Sequence, residues 1–175
     1  MFNDASRLEA GVAPLTRALN RRFLQTILSR EIQIAQKGNS GLSLLMIDVE
    51  HFKAINDTHG HSSGDMVLRE LANVVMETIR SSDYFFRYGG EEFLVALGEA
   101  NTATAMEIAE RIRRTFRERP TRISDETSIT ATVSIGVSTF DGHPDYEYML
   151  KAADAALYEA KASGRNRVST KGGNT

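Results

Sequence analysis

The stretch YFFRYGGEEFLVAL, residues 84–97, decides the reading of the fold. Two β-prone runs, 84–88 and 91–97, flank Gly89-Gly90, and a pair of glycines that both tolerate φ > 0 is a direct signal for a tight hairpin. Upstream, LSLLMIDV at 42–49 is an apolar run of strand length between Gly41 and a charged segment, as expected of a central strand buried on both faces. Residues 63–79 then carry Met66, Val67, Leu71, Val74, Val75 and Ile79 at helical spacing. Downstream, the pattern predicts a helix over 102–117, a long alternating strand over 128–140, a helix over 146–162 and an edge strand over 167–170. Ahead of all these, Asn20 caps a predicted helix over 21–36 that turns Phe23, Ile27, Leu28 and Ile34 to the core and ends at Gly38. Strand, helix, hairpin, helix, strand is the split βαβ order of ferredoxin-like antiparallel sheets with helices packed on one side, so the predicted class is α+β.

At 175 residues with three prolines, no Ser/Gly-rich linker and no internal repeat, the chain reads as one domain over 14–170. The leading 1–13 reads as a linker or the remnant of an upstream helix, and the closing 171–175 (KGGNT) as a disordered tail. The absence of cysteine excludes thiol catalysis, thiolate metal sites and disulfides. No apolar run approaches the ~20 residues that span a bilayer and no signal-peptide pattern opens the chain, so the expectation is a soluble, cytoplasmic protein. A net charge of -2 offers no bulk attraction to nucleic acid or anionic membrane, and neither is expected as a partner. A phosphate-bearing ligand must then be held by local arrangement.

Acidic residues mark where that arrangement lies. Asp48 ends the first strand and Glu91-Glu92 follow the hairpin tip, and a split βαβ sheet places the hairpin beside the first strand. Neighbouring strands run ~4.8 Å apart, so carboxylates at adjacent strand ends can share a Mg²⁺ held ~2.1 Å from each oxygen. Taken alone, a Glu pair beside a turn is usually solvated charge. Its place next to a double glycine, with a second acid at the matching sheet end, favours a site.

The segments around these acids resemble the GGDEF domains, the diguanylate cyclases. RYGGEEF at 87–93 matches the signature in its GGEEF form, IDVEHFKAIND at 47–57 matches IDxDxFKxxND, and GHSSGD at 60–65 matches GHxxGD. LTRALNRR at 15–22, SIG at 134–136 and ADAALYEAKASGRN at 153–166 complete the set in the right order over about 14–168. NRRFL at 20–24 and GHPDYE at 142–147 further resemble the cyclase domains of globin-coupled haem sensors.

The resemblance implies a palm-type nucleotidyl cyclase in which two GTP, one on each of two domains, condense head to tail into cyclic di-GMP with loss of two pyrophosphates. It implies Mg²⁺ as cofactor, with Mn²⁺ as the alternative, and no haem in this segment. Asp48, the Val49 carbonyl and Glu91 match the metal ligands. Glu91 is also the candidate acceptor of the hydroxyl proton, with Glu92 beside it and Lys53 offsetting charge on the transferring group. Phe52, Lys53, Lys161 and Arg165 match the phosphate-binding residues, and an i, i+4 spacing would set the last two on one helix face. Asn56 and Asp65 match guanine-selecting positions, because a carboxylate accepts from both N1-H and N2-H₂ of guanine but finds no such donor pair on adenine. His61 reads as a loop residue of the nucleotide pocket. With His59 it makes an HxH spacing, yet no third nitrogen or thiolate stands nearby to suggest zinc.

RSSD at 80–83 matches the family's RxxD site for inhibition by product, with Arg80 and Asp83 as guanine and phosphate contacts and Arg111 as the supplementary arginine. Glu50 departs from the second Asp of IDxDxFK, and a modest effect is expected of it. Ala13 departs from the Asp that many members carry before LT, and the sensory domain or coiled coil that usually precedes such domains and pairs them as a homodimer lacks a counterpart here. Two other readings remain beside the cyclase: a non-catalytic cyclic di-GMP receptor using the Arg80 site, and a cyclase with a different nucleotide product. Asp48, Lys53, Glu91 and Glu92 argue against the first, and Asp65 with Asn56 against the second.

Overall fold

The computed structural model describes residues 15–170. The expectations for 1–13 and 171–175, Ala13 included, lie outside the described residues. A six-stranded sheet runs in the order β1-β3-β4-β2-β7-β8, where β1 is Leu19–Asn20, β2 Leu42–Val49, β3 Tyr84–Arg87, β4 Glu92–Gly98, β7 Val133–Thr139 and β8 Val168–Thr170. Its inner four strands are all antiparallel neighbours, with the hairpin strand β4 beside β2, which is the split βαβ topology. Both short edge strands, β1 against β3 and β8 against β7, pair in parallel. A separate ribbon pairs β5 (Thr121–Arg122) with β6 (Ser128–Ile129).

Alternation along the strands divides the core in two. Leu45, Ile47 and Val49 of β2 face α3 (His61–Thr78) and α4 (Thr102–Glu118), where Val67, Leu71, Ala109 and Ile112 meet Phe93 and Val95. Leu42, Leu44 and Met46 face the other way, to α1 (Leu24–Gly38) and α5 (Tyr146–Ala162), which supply Leu28, Ile32, Ala153 and Leu157. Helices therefore cover both faces and not one: the crossover helices α3 and α4 share a face as the motif requires, and the apolar run of β2 needs α1 and α5 on its other side.

Local chemistry accounts for three further differences from the sequence reading. Asn20 does cap, its Oδ1 accepting from Arg22 N at 2.9 Å, but the first turn, Arg21–Phe23, is 3-10 and the α-helix begins at Leu24. The predicted strand 128–140 is broken into two, because its ends pair with different partners: β6 joins β5 in the separate ribbon, whereas β7 joins β2 in the main sheet. The hairpin turn is wider than two residues. Tyr88 N and Gly89 N both donate to Glu92 O, Arg87 clasps the loop through Gly89 O and Gly90 O, and neither glycine takes a positive φ. A Cβ at Gly89 would stand 3.2 Å from Glu92 Oε1, a contact that a small shift of that side chain relieves.

The chain enters the sheet through β1, whose Asn20 pairs with Arg87. Arg21 then lies over the Tyr88 ring at 3.9 Å and donates to Tyr88 O at 3.2 Å and to its hydroxyl at 3.1 Å. The start of the domain is thus fastened to the base of the hairpin turn.

Candidate active site

The acids meet at one end of the sheet. Asp48 pairs in register with Glu92, and Val49 N donates to Glu91 O at 3.1 Å, which brings both hairpin acids to the end of β2. Asp48 points to the α5 side, as do Leu44 and Met46. There Lys161, in the last turn of α5, donates to Asp48 Oδ2. Such contact needs α5 close to the sheet, and Gly136 of β7 permits it: a Cβ at that position would collide with the backbone of Ala153 and Leu157. The SIG match therefore has a packing reason.

Glu50, two residues past Asp48, is buried as deeply. Its Oε2 accepts from Arg165 Nη1 at 2.5 Å, and Lys161 Nζ lies 3.8 Å from its Oε1. Arg165 is not on the helix face that its spacing suggested. α5 stops at Ala162, and Arg165 sits in a turn at φ 65, from which it reaches Glu50 directly. Lys161 and Arg165 still converge, through a turn and a shared acid in place of one helical face.

Burial lifts the Asp48 carboxyl above its ordinary range; the Lys161 contact opposes this, and the charges of Glu91 and Glu50 add to it. Burial likewise raises Glu92, helped by Asp48 and then Asp154. A crowd of acids that disfavours its own ionisation is a place that a cation would stabilise. Asp48 Oδ1 is buried and has no hydrogen-bond partner among the described residues. The donors at hand, Asp48, Glu91 and the Val49 carbonyl, are all oxygen and few. That fits Mg²⁺, which takes one or two carboxylates and completes its shell with phosphates and water. Among the described residues no group of three or more His, Asp or Glu is placed to hold a metal, so a cation here would complete its shell with other ligands.

On the other face, α2 (Phe52–His59) starts directly after β2. The sequence reading missed this helix as an element, because no Ser, Thr, Asp or Asn announces it: its N-cap is His51 in the left-handed region, with no side-chain cap bond. An uncapped first turn leaves amides facing outward, which suits an anion. Phe52 anchors that turn on the core, whereas the Lys53 side chain is 91% exposed and bonds to Asp57 at 3.3 Å. Asn56 Oδ1 is buried with no partner among the described residues, and Gly64 makes room for it, since a Cβ there would overlap that oxygen. His61 and Asp65 are exposed one turn apart on α3, a helix that begins at His61 and not at Ser63.

The RxxD residues come together, but not as an open pair. Asp83 is buried, and its carboxylate accepts from Arg80 N at 2.9 Å, from Arg80 Nη2 at 3.0 Å and from Gly98 N at 3.3 Å. Arg80 also donates to Gly98 O and keeps about half of its side chain exposed. Asp83 is therefore spent within the chain, orienting Arg80. Arg111 lines a different cavity, of about 680 Å³, with Arg114, Asn166 and Arg167.

Glu50 is the residue whose weight sequence reasoning underestimated. The signal was present: positions 48 and 50 fall on the same side of an extended chain, so an acid at 50 points where Asp48 points. Asp154, on the exposed face of α5, also lies near Glu92, a neighbour that helical spacing alone does not single out.

The family model for the diguanylate cyclase GGDEF domain matches residues 10–167. Diguanylate cyclase DosC of Escherichia coli K12 is 48% identical over 168 residues, which are 96% of this chain and 36% of DosC. The GGDEF domain of DgcB from Caulobacter crescentus, solved in complex with c-di-GMP, superposes with a TM-score of 0.87 at 33% identity over 91% of this chain and 92% of that one. The active GGEEF domain of a diguanylate cyclase from Vibrio cholerae does so with a TM-score of 0.80 at 36% identity, over 86% of this chain and 95% of that one. The chain spans about a third of the length of the curated relatives it matches. No helix among the described residues is long and apolar enough to cross a membrane. Matched over most of its length by sequence and by structure, the chain belongs to the GGDEF-domain family.

Proposed function

We propose that this chain is the catalytic domain of a diguanylate cyclase, in which two copies face each other and condense two GTP into cyclic di-GMP. The observation that carries this reading is the meeting of Asp48, Glu91 and Glu92 at one sheet end, beside the uncapped start of α2 and within reach of Lys161 and Arg165. Carboxylates alone would repel a triphosphate; carboxylates with a cation-binding oxygen set and flanking bases suit one.

The bound Mg²⁺ ions would neutralise the phosphates and draw the attacking and leaving oxygens into line. Asp48, the Val49 carbonyl and Glu91 would hold them. The chain's own residues do the rest. The first-turn amides of α2 at Phe52 and Lys53 receive the β- and γ-phosphates, and Lys53, Lys161 and Arg165 balance their charge. Asn56 and Asp65 take the guanine edge, with His61 at the pocket wall. Glu91 accepts the proton of the 3′-hydroxyl that the other copy's nucleotide presents, and Glu92, whose carboxyl burial and the Asp48 charge hold above its ordinary range, stands next to it. One chain supplies half of the chemistry, so a homodimer is part of the proposal.

Regulation by product is assigned to Arg80, which Asp83 orients, together with Arg111. An upstream sensory domain in a longer, cytoplasmic parent fits both the share of DosC that the chain matches and the resemblance to haem-sensor cyclases. The test is chromatographic identification of the product from GTP and Mg²⁺ at two protein concentrations. Cyclic di-GMP with specific activity rising at the higher concentration is expected, and Glu91→Gln should abolish turnover while GTP still binds. Unchanged turnover in that variant removes Glu91 from the chemistry.

A further inference from the structure

We propose that Glu50 is a positioning residue of the phosphate clamp: it holds Arg165 in place and receives Lys161 when Asp48 exchanges that lysine for a metal cation. The inference rests on the cyclase reading above. It is carried by a buried acid with one oxygen hydrogen-bonded and the other without a hydrogen bond among the described residues, 3.8 Å from Lys161 Nζ.

Glu50 has a side chain only 1% exposed, and a buried carboxylate persists where a cation compensates it. Arg165 does so through Oε2. Without Glu50, Arg165 would have little to hold it, because it stands in a turn at positive φ with 47% of its side chain in solvent. Ordering a long side chain before the ligand arrives removes that entropic cost from the binding step. The anchor is itself fixed, since Glu50 N is bound to Thr132 O on the neighbouring strand end.

The second oxygen concerns Lys161. Oε1 of Glu50 is buried and has no hydrogen-bond partner among the described residues, and Lys161 Nζ lies 3.8 Å from it while bonded to Asp48 Oδ2. A cation taken up by Asp48 would displace Lys161. Moving Nζ by about 1 Å then brings it within hydrogen-bond reach of Glu50. The lysine stays at the site as a phosphate ligand and is not expelled into solvent, and the vacancy on Glu50 is filled. An ordinary structural ion pair would need no unpartnered oxygen aimed at the lysine of its neighbour.

The experiment is calorimetric binding of GTP and of guanosine monophosphate with Mg²⁺, in the Glu91→Gln background so that nothing turns over. Glu50→Gln is expected to weaken GTP roughly 10-fold and the monophosphate by less than about twofold, because only the longer phosphate chain reaches the clamp. Glu50→Asp, which keeps the charge, should recover GTP binding to within about threefold. Added to Arg165→Ala, Glu50→Gln should cost less than it does alone, as coupled residues require. Equal losses for both nucleotides, no loss for either, no recovery with Asp, or full additivity with Arg165→Ala would each overturn the proposal. If Glu50→Gln does not fold, Arg165→Ala alone must give the GTP-selective loss, and equal loss for both nucleotides overturns it. A parent protein that binds no GTP at all would defeat the cyclase reading itself, and the inference with it.

Discussion

Lys161 donates to Asp48 across 113 residues of sequence, so the cation that a triphosphate would meet is already seated on the acid that a metal would meet. The two partners offset each other's charge. Replacing Lys161 by Met removes the seated charge. Nucleotide-free Mn²⁺ affinity, followed by electron paramagnetic resonance, is expected to rise roughly 3- to 10-fold, while GTP affinity falls. Weaker Mn²⁺ binding in that variant would show that Lys161 does not compete for Asp48.

Glu92 gives a pH-dependent prediction. Its ordinary value is 4.5, and burial together with the Asp48 charge holds it higher in the fold. An acid with a raised native value destabilises the native state as pH climbs, and not at all where both states are protonated. Glu92→Gln should therefore raise the thermal unfolding midpoint at about pH 7.5 and leave it unchanged below about pH 4. A rise of equal size at both pH values would point to packing and not to ionisation.

The close approach at Gly136 predicts a different kind of failure. A methyl group there meets backbone atoms of α5, Leu157 Cα at 2.7 Å among them, and backbone gives way less readily than a side-chain tip. Gly136→Ala should cost about 1–3 kcal/mol or more in denaturant unfolding. Because α5 carries Lys161, GTP binding should weaken beyond what the stability loss explains.

Arg80 and Asp83 should separate experimentally. Asp83→Ala leaves Arg80 N and Gly98 N without their buried acceptor and is expected to destabilise by about 1–3 kcal/mol. Arg80→Ala spares those amides; it should chiefly raise the cyclic di-GMP concentration needed for inhibition, read from initial rates. Superimposable inhibition curves would remove Arg80 from product control.

Much of this was legible in the sequence for definite reasons. The apolar run of 42–49 and the paired glycines set which strands neighbour each other, and that alone brings Asp48 to Glu92. What escaped depended on side-chain reach or on backbone states without a strong residue signature. α2 begins from a left-handed His51, a conformation that composition does not announce. Arg165 arrives through a left-handed turn and not along a helix, so its contact with Glu50 carries no spacing signal. The two-residue β1 is too short for any alternation to reveal, and it exists only because β3 offers an open edge.

That short strand has a mechanical consequence. Leu19 and Asn20 run parallel to β3 alongside Phe86 and Arg87, and Arg21 is clamped to Tyr88. A load carried along the β1 axis by Leu19 and Asn20 would therefore act in shear on the strand that leads to the turn bearing Glu91. Load applied in this direction is shared by the strand's hydrogen bonds together and does not unzip them in turn. A shift of β1 along its axis would thus reach the hairpin lengthwise, through β3.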